Sequence, residues 1–305
     1  MVDRRRPMGK VSAMRLAVIA CFLNEDAFLP TFLQSLAEQD RQPDLLLLVD
    51  DGSSDGSLSL AEDWARGRGL AKVLQRPARP PQRDRLARAA ELEAFCWAVS
   101  QIEGEWDVVA KLDADLRLTP GTFAELMRRL EADPRLGLAG AHQSIVTPDG
   151  RTVRDRCPPG PVRGSTKFYA RACFEDVYPL EFRIGWDTTD EIRARMRGWR
   201  TESFSMPDGD PIHMRPTGAQ DGAVRGYRRI GRAAYAYGAG PSWVLLGAAS
   251  RLPERPRIVG GLSYLQGWVG AAMRSEPRAD AEQRAFVARE HRARLRETVS
   301  RAIAR

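Results

Sequence analysis

Two carboxylates stand one residue apart at Asp113-Ala114-Asp115, directly after the apolar run 107–112 (DVVAKL). Carboxylate oxygens so placed suit a hard cation such as Mg2+ or Mn2+. Such an ion can bridge two phosphates and neutralise a departing diphosphate. The tripeptide alone is equally compatible with a turn, and its position after a strand is what raises it. A second acidic cluster, Asp50-Asp51-Gly52-Ser53-Ser54-Asp55, follows the apolar run 45–49 (LLLLV). Its Ser and Asp residues suit a solvated turn with helix capping. The same carboxylates also suit a nucleotide pocket, where they accept the N3–H of uracil or bind a ribose hydroxyl. A third cluster, Gly185-Trp186-Asp187-Thr188-Thr189-Asp190-Glu191, opens a predicted helix. The helix dipole keeps a carboxylate there ionised, ready to accept the proton of a hydroxyl; the competing reading is an N-cap with no chemistry. Gly164-Ser165-Thr166-Lys167 reads either as a strand start or as a contact to an acceptor or phosphate. Among Arg83, Arg85 and Arg88, one is placed to face a nucleotide, and Arg88 is taken as the candidate. His213, in HMRPTG, is one of three histidines with His142 and His291, and a lone histidine is more often structural than a ligand.

The elements that must position these groups alternate. Residues 15–20 (RLAVIA) read as a buried strand, and Phe28, Leu29, Phe32, Leu33 and Leu36 recur at helical spacing. A second strand covers 45–49, a helix 57–67, and a short strand Val73-Leu74. Leu92, Phe95, Cys96 and Val99 mark a helix face before the strand 107–112. Thr119-Pro120 opens the helix of Phe123, Leu126, Met127 and Leu130. Strands follow at 136–141 and 144–147, with a turn at Pro148-Asp149-Gly150. Apolar strands joined by helices predict a mostly parallel sheet covered on both faces. Ligands bind such sheets outside the carboxyl ends of the strands, where Asn24-Glu25, Asp50-Asp51 and Asp113–Asp115 stand.

In this order these stretches resemble the family-2 inverting glycosyltransferases of the GT-A fold. The resemblance runs through RLAVIACFLNEDAFLPTFLQSLAEQDRQPDLLLLVDDGSSDGS and then VVAKLDADLRLTPGTF, and it covers about residues 15–218. Ser35-Leu36 and Gln39 fit the family's helix end, while Cys21 stands where proline is common. The resemblance implies a Rossmann-like α/β sheet with helices on both faces and a donor linked to UDP or GDP. Asn24 and Glu25 would then belong to the nucleotide site, Asp51 with Asp50 beside it would bind the base or ribose, Asp113 the ribose or metal, and Asp115 the metal. Asp187 falls on the family's catalytic base, with Asp190 as the alternative. Trp186 replaces the first acid of the family's pair and is taken, with Lys167 and Arg215, as a contact to the acceptor or a phosphate. A histidine downstream of the base completes the metal site in several GT-A enzymes, which makes His213 a candidate ligand beside Asp115.

At 305 residues, 43% hydrophobic and 29% charged, the chain has the composition of a folded protein. Residues 1–14 read as a flexible N-terminus, 15–218 as the catalytic domain and 219–305 as a helical extension. Arginines 4–6 are followed by Pro7 without an apolar stretch, so no signal peptide is expected. No apolar run approaches about 18 residues, so no transmembrane helix is expected. Cys21, Cys96, Cys157 and Cys173 form no CxxC pair, which fits a reduced, cytoplasmic compartment. The net charge of +7 is almost all arginine, spread along the whole chain, so nucleic-acid binding is not expected. Tyr227, Tyr235, Tyr237, Trp243, Tyr264 and Trp268 among arginines suit a helical cap, with peripheral contact to the inner face of an anionic membrane as an addition. The acceptor implied by the resemblance is a glycan or lipid-linked cell-envelope precursor. A nucleotidyltransferase would open with a Gly-rich loop, and Cys21-Phe22-Leu23-Asn24 has no glycine. A non-catalytic nucleotide-sugar-binding protein would not need Asp115 and Asp187.

Overall fold

Alternate residues along the first strand belong to opposite cores, which is why that strand is apolar throughout. In the computed structural model, β1 (Leu16–Phe22) sends Leu16, Val18, Ala20 and Phe22 into one cluster and Ala17 and Ile19 into the other. The structure describes residues 13–77, 85, 87–147, 150–155, 161–215, 222–252 and 257–303. Arg83, Cys157, most of the expected N-terminal segment and the first two residues of the expected 148–150 turn lie outside them.

After β1 come α1 (Leu29–Ala37), β2 (Leu45–Asp50), α2 (Ser57–Ala65), β3 (Ala71–Gln75), α3 (Ala90–Val99) and β4 (Val108–Asp113). Next are β5 (Leu116–Arg117), α4 (Thr122–Ala132), β6 (Leu136–Ala141), β7 (Ser144–Val146), β8 (Thr152–Arg154) and β9 (Thr166–Ala170). Then follow α5 (Arg171–Val177), α6 (Trp186–Met196), β10 (Arg200–Phe204) and β11 (Ile212–His213). Four helices close the chain: α7 (Ala223–Tyr237), α8 (Pro241–Ser250), α9 (Val259–Met273) and α10 (Ala281–Ile303).

The main sheet has seven strands in the order β10-β6-β9-β4-β1-β2-β3. All pair in parallel except β9, which runs antiparallel to β4 and β6. Register aligns the strand ends: Phe22 pairs with Asp50, and Cys21 with Asp113. The acidic loops therefore open side by side at one edge. On α1, buried Leu29, Phe32, Leu33 and Leu36 cover the sheet, each contributing about 1.5–3 kcal/mol on burial. Helix α4 starts at Thr122, later than Thr119-Pro120 suggests, because Thr119 instead closes a turn with Thr122. A small second sheet, β5-β11-β7-β8, sits beyond β4.

Helices α7 and α9 cross so closely that a Cβ on Gly231 would lie 1.9 Å from the Tyr264 carbonyl oxygen. The arginine Arg195 of α6 holds α10 through two hydrogen bonds to Glu290, at 2.7 and 3.0 Å. The aromatic residues Tyr227, Tyr237, Trp243, Tyr264 and Trp268 pack into the small core of this helical unit.

Candidate active site

The loop after β1 is locked to the loop after β2. Asn24 takes a left-handed backbone (φ +55), a conformation its short polar side chain tolerates. Its Oδ1 accepts the Ser54 N–H at 2.8 Å, and its own N–H donates to Ser53 Oγ at 3.0 Å. Asp50 is buried and accepts the backbone N–H groups of Gly52 (3.2 Å) and Ser53 (3.0 Å), so it builds the turn. That turn presents Asp51 to two arginines. Arg76 donates at 2.6 Å, and Arg85 reaches the other carboxylate oxygen. Arg88, the sequence candidate, is exposed, and it is Arg85 that meets Asp51. Arg76 was not singled out by sequence; its signal is its place directly after β3, beside the end of β2.

Strand β11 brings the histidine to the DxD. It pairs antiparallel with β5, His213 opposite Leu116, and Met214 N–H donates to the Asp115 carbonyl at 2.9 Å. His213 Nε2 then lies 3.0 Å from Asp115 Oδ1, and Arg215 Nε lies 2.6 Å from Asp115 Oδ2. Arg215 also bridges to Glu25 and stands over the Phe28 ring, 5.5 Å from its centroid. Burial pushes the Asp115 carboxyl up, but hydrogen bonding to His213 and the charges of His213 and Arg215 outweigh it and hold it below its ordinary value. Burial likewise pulls His213 down, and its hydrogen bond to Asp115 and the nearby carboxylates more than offset this, so it is raised. Glu25 is raised, chiefly by burial. Its Oε2 has no hydrogen-bond partner among the described residues.

The potential ligand atoms of Asp113, Asp115 and His213 all lie within 4.8 Å of one another. Two carboxylates and one imidazole, with a guanidinium now neutralising part of the charge, fit a divalent cation such as Mg2+ or Mn2+.

Behind Asp113 lies a group that sequence reasoning passed over. Lys111 is buried within β4, 2.5 Å from Asp113 Oδ1 and 3.3 Å from Glu91 Oε1. Burial works against its charge, and the two carboxylates outweigh that and raise it. Its sequence signal is a lysine inside an otherwise apolar strand. Across the ladder it faces Lys167 on β9. The Trp186 ring covers both, its centroid 5.4 Å from Lys111 Nζ and 5.3 Å from Lys167 Nζ.

Lys167 separates the two aspartates of α6. It is fully buried and donates to both Asp190 oxygens (2.6 and 2.7 Å) and to the Asp187 carbonyl (2.5 Å). Tyr169 donates its hydroxyl to Asp190 as well. Lys167 and Trp186 are thus interior supports, and the expected contact with an acceptor or phosphate gives way to their burial. Asp187 differs from Asp190. It is half-buried at the first turn of α6, beside Gly164, and its carboxylate accepts no hydrogen bond among the described residues. Gly185 caps this turn with φ +77, and a Cβ there would lie 2.9 Å from that of Ala233 on α7.

Solved glycosyltransferases share this architecture. The mannosyltransferase PcManGT of Pyrobaculum calidifontis, solved with GDP-Man and Mn2+, is 17% identical with a TM-score of 0.55, over 93% of this chain and 81% of that one. TarS 1-349 of S. aureus, solved with UDP-GlcNAc, is 17% identical with a TM-score of 0.51, over 90% and 78%. Glucosyl-3-phosphoglycerate synthase of Mycobacterium tuberculosis, solved with Mg2+ and UDP, gives 19% and 0.50 over 72% and 77%. The fold is that of the GT-A glycosyltransferases. Residues 17–189, more than half of the chain, match the family model for glycosyl transferase family 2, and the chain belongs to that family. No curated protein matches it.

Proposed function

We propose that this glycosyltransferase moves a sugar, with inversion, from a nucleotide-diphosphate donor to a hydroxyl acceptor. The observation that carries the reading is the pairing of one cation-fitting group, Asp113, Asp115 and His213, with one uncommitted carboxylate, Asp187, at a helix start. A bound Mg2+ or Mn2+ supplies positive charge to the departing diphosphate. Asp113, Asp115 and His213 hold that ion. Asp51 binds the base or ribose from within its arginine pair, and Asn24 and Asp50 fix the loop that carries it. Arg215, now on Asp115 and Glu25, provides a guanidinium for the phosphates. Asp187 takes the proton of the acceptor hydroxyl. The acceptor oxygen bonds to the anomeric carbon as the bond from that carbon to the diphosphate oxygen breaks, and the electron pair leaves with the diphosphate. Asp190, held by Lys167 and Tyr169, positions the helix instead of taking the proton.

Similar glycosyltransferases are solved with GDP-Man and with UDP-GlcNAc, which supports either nucleotide here. The catalytic unit is residues 15–218, and residues 219–305 are the extension. The acceptor is a glycan or lipid-linked envelope precursor, met at the cytoplasmic face of the membrane. Screening UDP-, GDP- and dTDP-sugars for release of a nucleoside diphosphate, with Mn2+, Mg2+ or EDTA, tests the reading. Cation-dependent release from one donor supports it; no binding of any nucleotide sugar by folded protein refutes it.

A further inference from the structure

The basic residues are spread along the chain, but the excess of positive charge is not. Residues 223–275 hold eight arginines and one acid, Glu254, a net +7 that equals the net charge of all 305 residues. The rest of the chain is balanced. This segment is the α7–α9 unit, whose aromatic residues face inward into its own core. What it turns outward is aliphatic. On α9, Val259, Leu262, Gln266, Val269 and Met273 recur at steps of three and four, the spacing of one helical face. All five are exposed, Leu262 at 58% and Met273 at 82%. Gln266 is the only polar member, and it accepts a hydrogen bond from Arg228 of α7. Leu245 and Leu246 on α8 are exposed too. Arg225, Arg228, Arg257 and Arg274 stand exposed on the same three-helix unit, Arg274 paired with Glu276.

We propose that this face docks on an anionic lipid bilayer, with α8 and α9 lying in the plane of the headgroups. Exposed aliphatic side chains at helical spacing gain by entering the acyl boundary, and a segment of net charge +7 gains from anionic headgroups. A second copy of the chain fits the same face poorly, because a symmetric contact sets like charge against like charge. Spanning is not available to these helices. At 10 and 15 residues they fall short of the roughly 20 a bilayer crossing requires, and no helix among the described residues is long and apolar enough. Because α7 packs against Gly185 at the start of α6, a docked surface would be mechanically continuous with the turn that carries Asp187.

Flotation of the full chain with vesicles tests this, one set of phosphatidylcholine and one also containing phosphatidylglycerol. Binding should be at least about tenfold tighter to the anionic set and weaken as salt is raised. Leu245→Glu with Leu262→Glu, or Met273→Glu alone, should abolish it while circular dichroism and thermal midpoint stay at parent values. Absence of flotation with either vesicle set would overturn the proposal. So would a concentration-dependent dimer that Leu262→Glu disperses. Flotation requires neither donor nor cation, so its failure would leave the glycosyl-transfer reading intact, and loss of turnover would leave docking intact.

Discussion

Asp187 and Asp190 lie three residues apart on one helix yet have opposite surroundings. Asp190 answers Lys167 and Tyr169 in the interior, whereas the Asp187 carboxylate stands at the helix start without a donor among the described residues. Their substitutions should therefore fail differently. Asp187→Asn removes a proton acceptor and should lower kcat by about 10²–10⁴, with the donor KM and the melting temperature close to those of the parent. Asp190→Asn removes the nearer counter-charge of buried Lys167 and leaves it only Glu191, 3.9 Å away, so the variant should lose roughly 3 kcal/mol of stability in denaturant unfolding. Equal losses of turnover at unchanged stability in both variants would contradict this division. The carboxylates themselves were legible, because Asp50, Asp51, Asp113 and Asp115 follow apolar runs at predicted strand ends and Asp187 and Asp190 open a predicted helix. The cluster of Lys111 with Lys167 and Trp186 was not, because it depends on the pairing of β4 with an antiparallel β9, and no local pattern gives that pairing. Arg85 over Arg88 was equally hidden, since side-chain direction in an irregular loop follows no period.

Among the elements, the α7–α9 crossing and the α8–α10 contact invite direct tests. Gly231→Ala places a methyl against the Tyr264 backbone, and backbone yields less readily than a side-chain tip. The variant should be destabilised by about 1–3 kcal/mol, measured by thermal unfolding. His291 of α10 stacks on Trp243 of α8, ring centroids 3.9 Å apart. Burial, helped by the charge of Arg294, pulls its pKa down to about 4 from the ordinary 6.5. The unfolded chain thus binds a proton that the folded chain refuses, so stability is complete above 6.5 and falls as pH drops from 6.5 to about 4. Partial exposure of the ring limits the effect to about 1–2 kcal/mol. His291→Gln should flatten the stability profile in that window, and an unchanged profile would contradict the stacking account. Sequence periodicity revealed β1, β2, β3, β4, β6 and β7 with the helices between them, and the helical character of the chain beyond residue 218. It did not reveal that the aromatic residues of α7–α9 turn inward, because glycines such as Gly231 set that packing by what they lack.

Across the whole molecule, chemistry and charge are separated. The carboxylates gather at the ends of β1, β2 and β4, and the net positive charge gathers on three helices beyond α6. With this separation, the proposed lipid docking uses a face distinct from the edge that fits a cation. It also predicts that salt acts on the two functions unequally. Vesicle association should weaken steeply with ionic strength, while turnover of a soluble donor without vesicles changes little, as buried groups are screened less.

In the proposed reaction Asp113, Asp115 and His213 hold a cation for sugar transfer, with Asp187 as the base. The measurement that meets it most directly is nucleoside diphosphate release from a nucleotide sugar, with Mn2+ or Mg2+ and with EDTA, by the parent, Asp115→Ala and Asp187→Asn. Release by the parent should depend on the cation, and Asp115→Ala should lose about 10²–10³ in kcat, in the range seen when a transition-state charge stabiliser is removed. Asp187→Asn should still bind the donor but turn it over poorly. Release that is indifferent to EDTA and to Asp115→Ala would contradict the account.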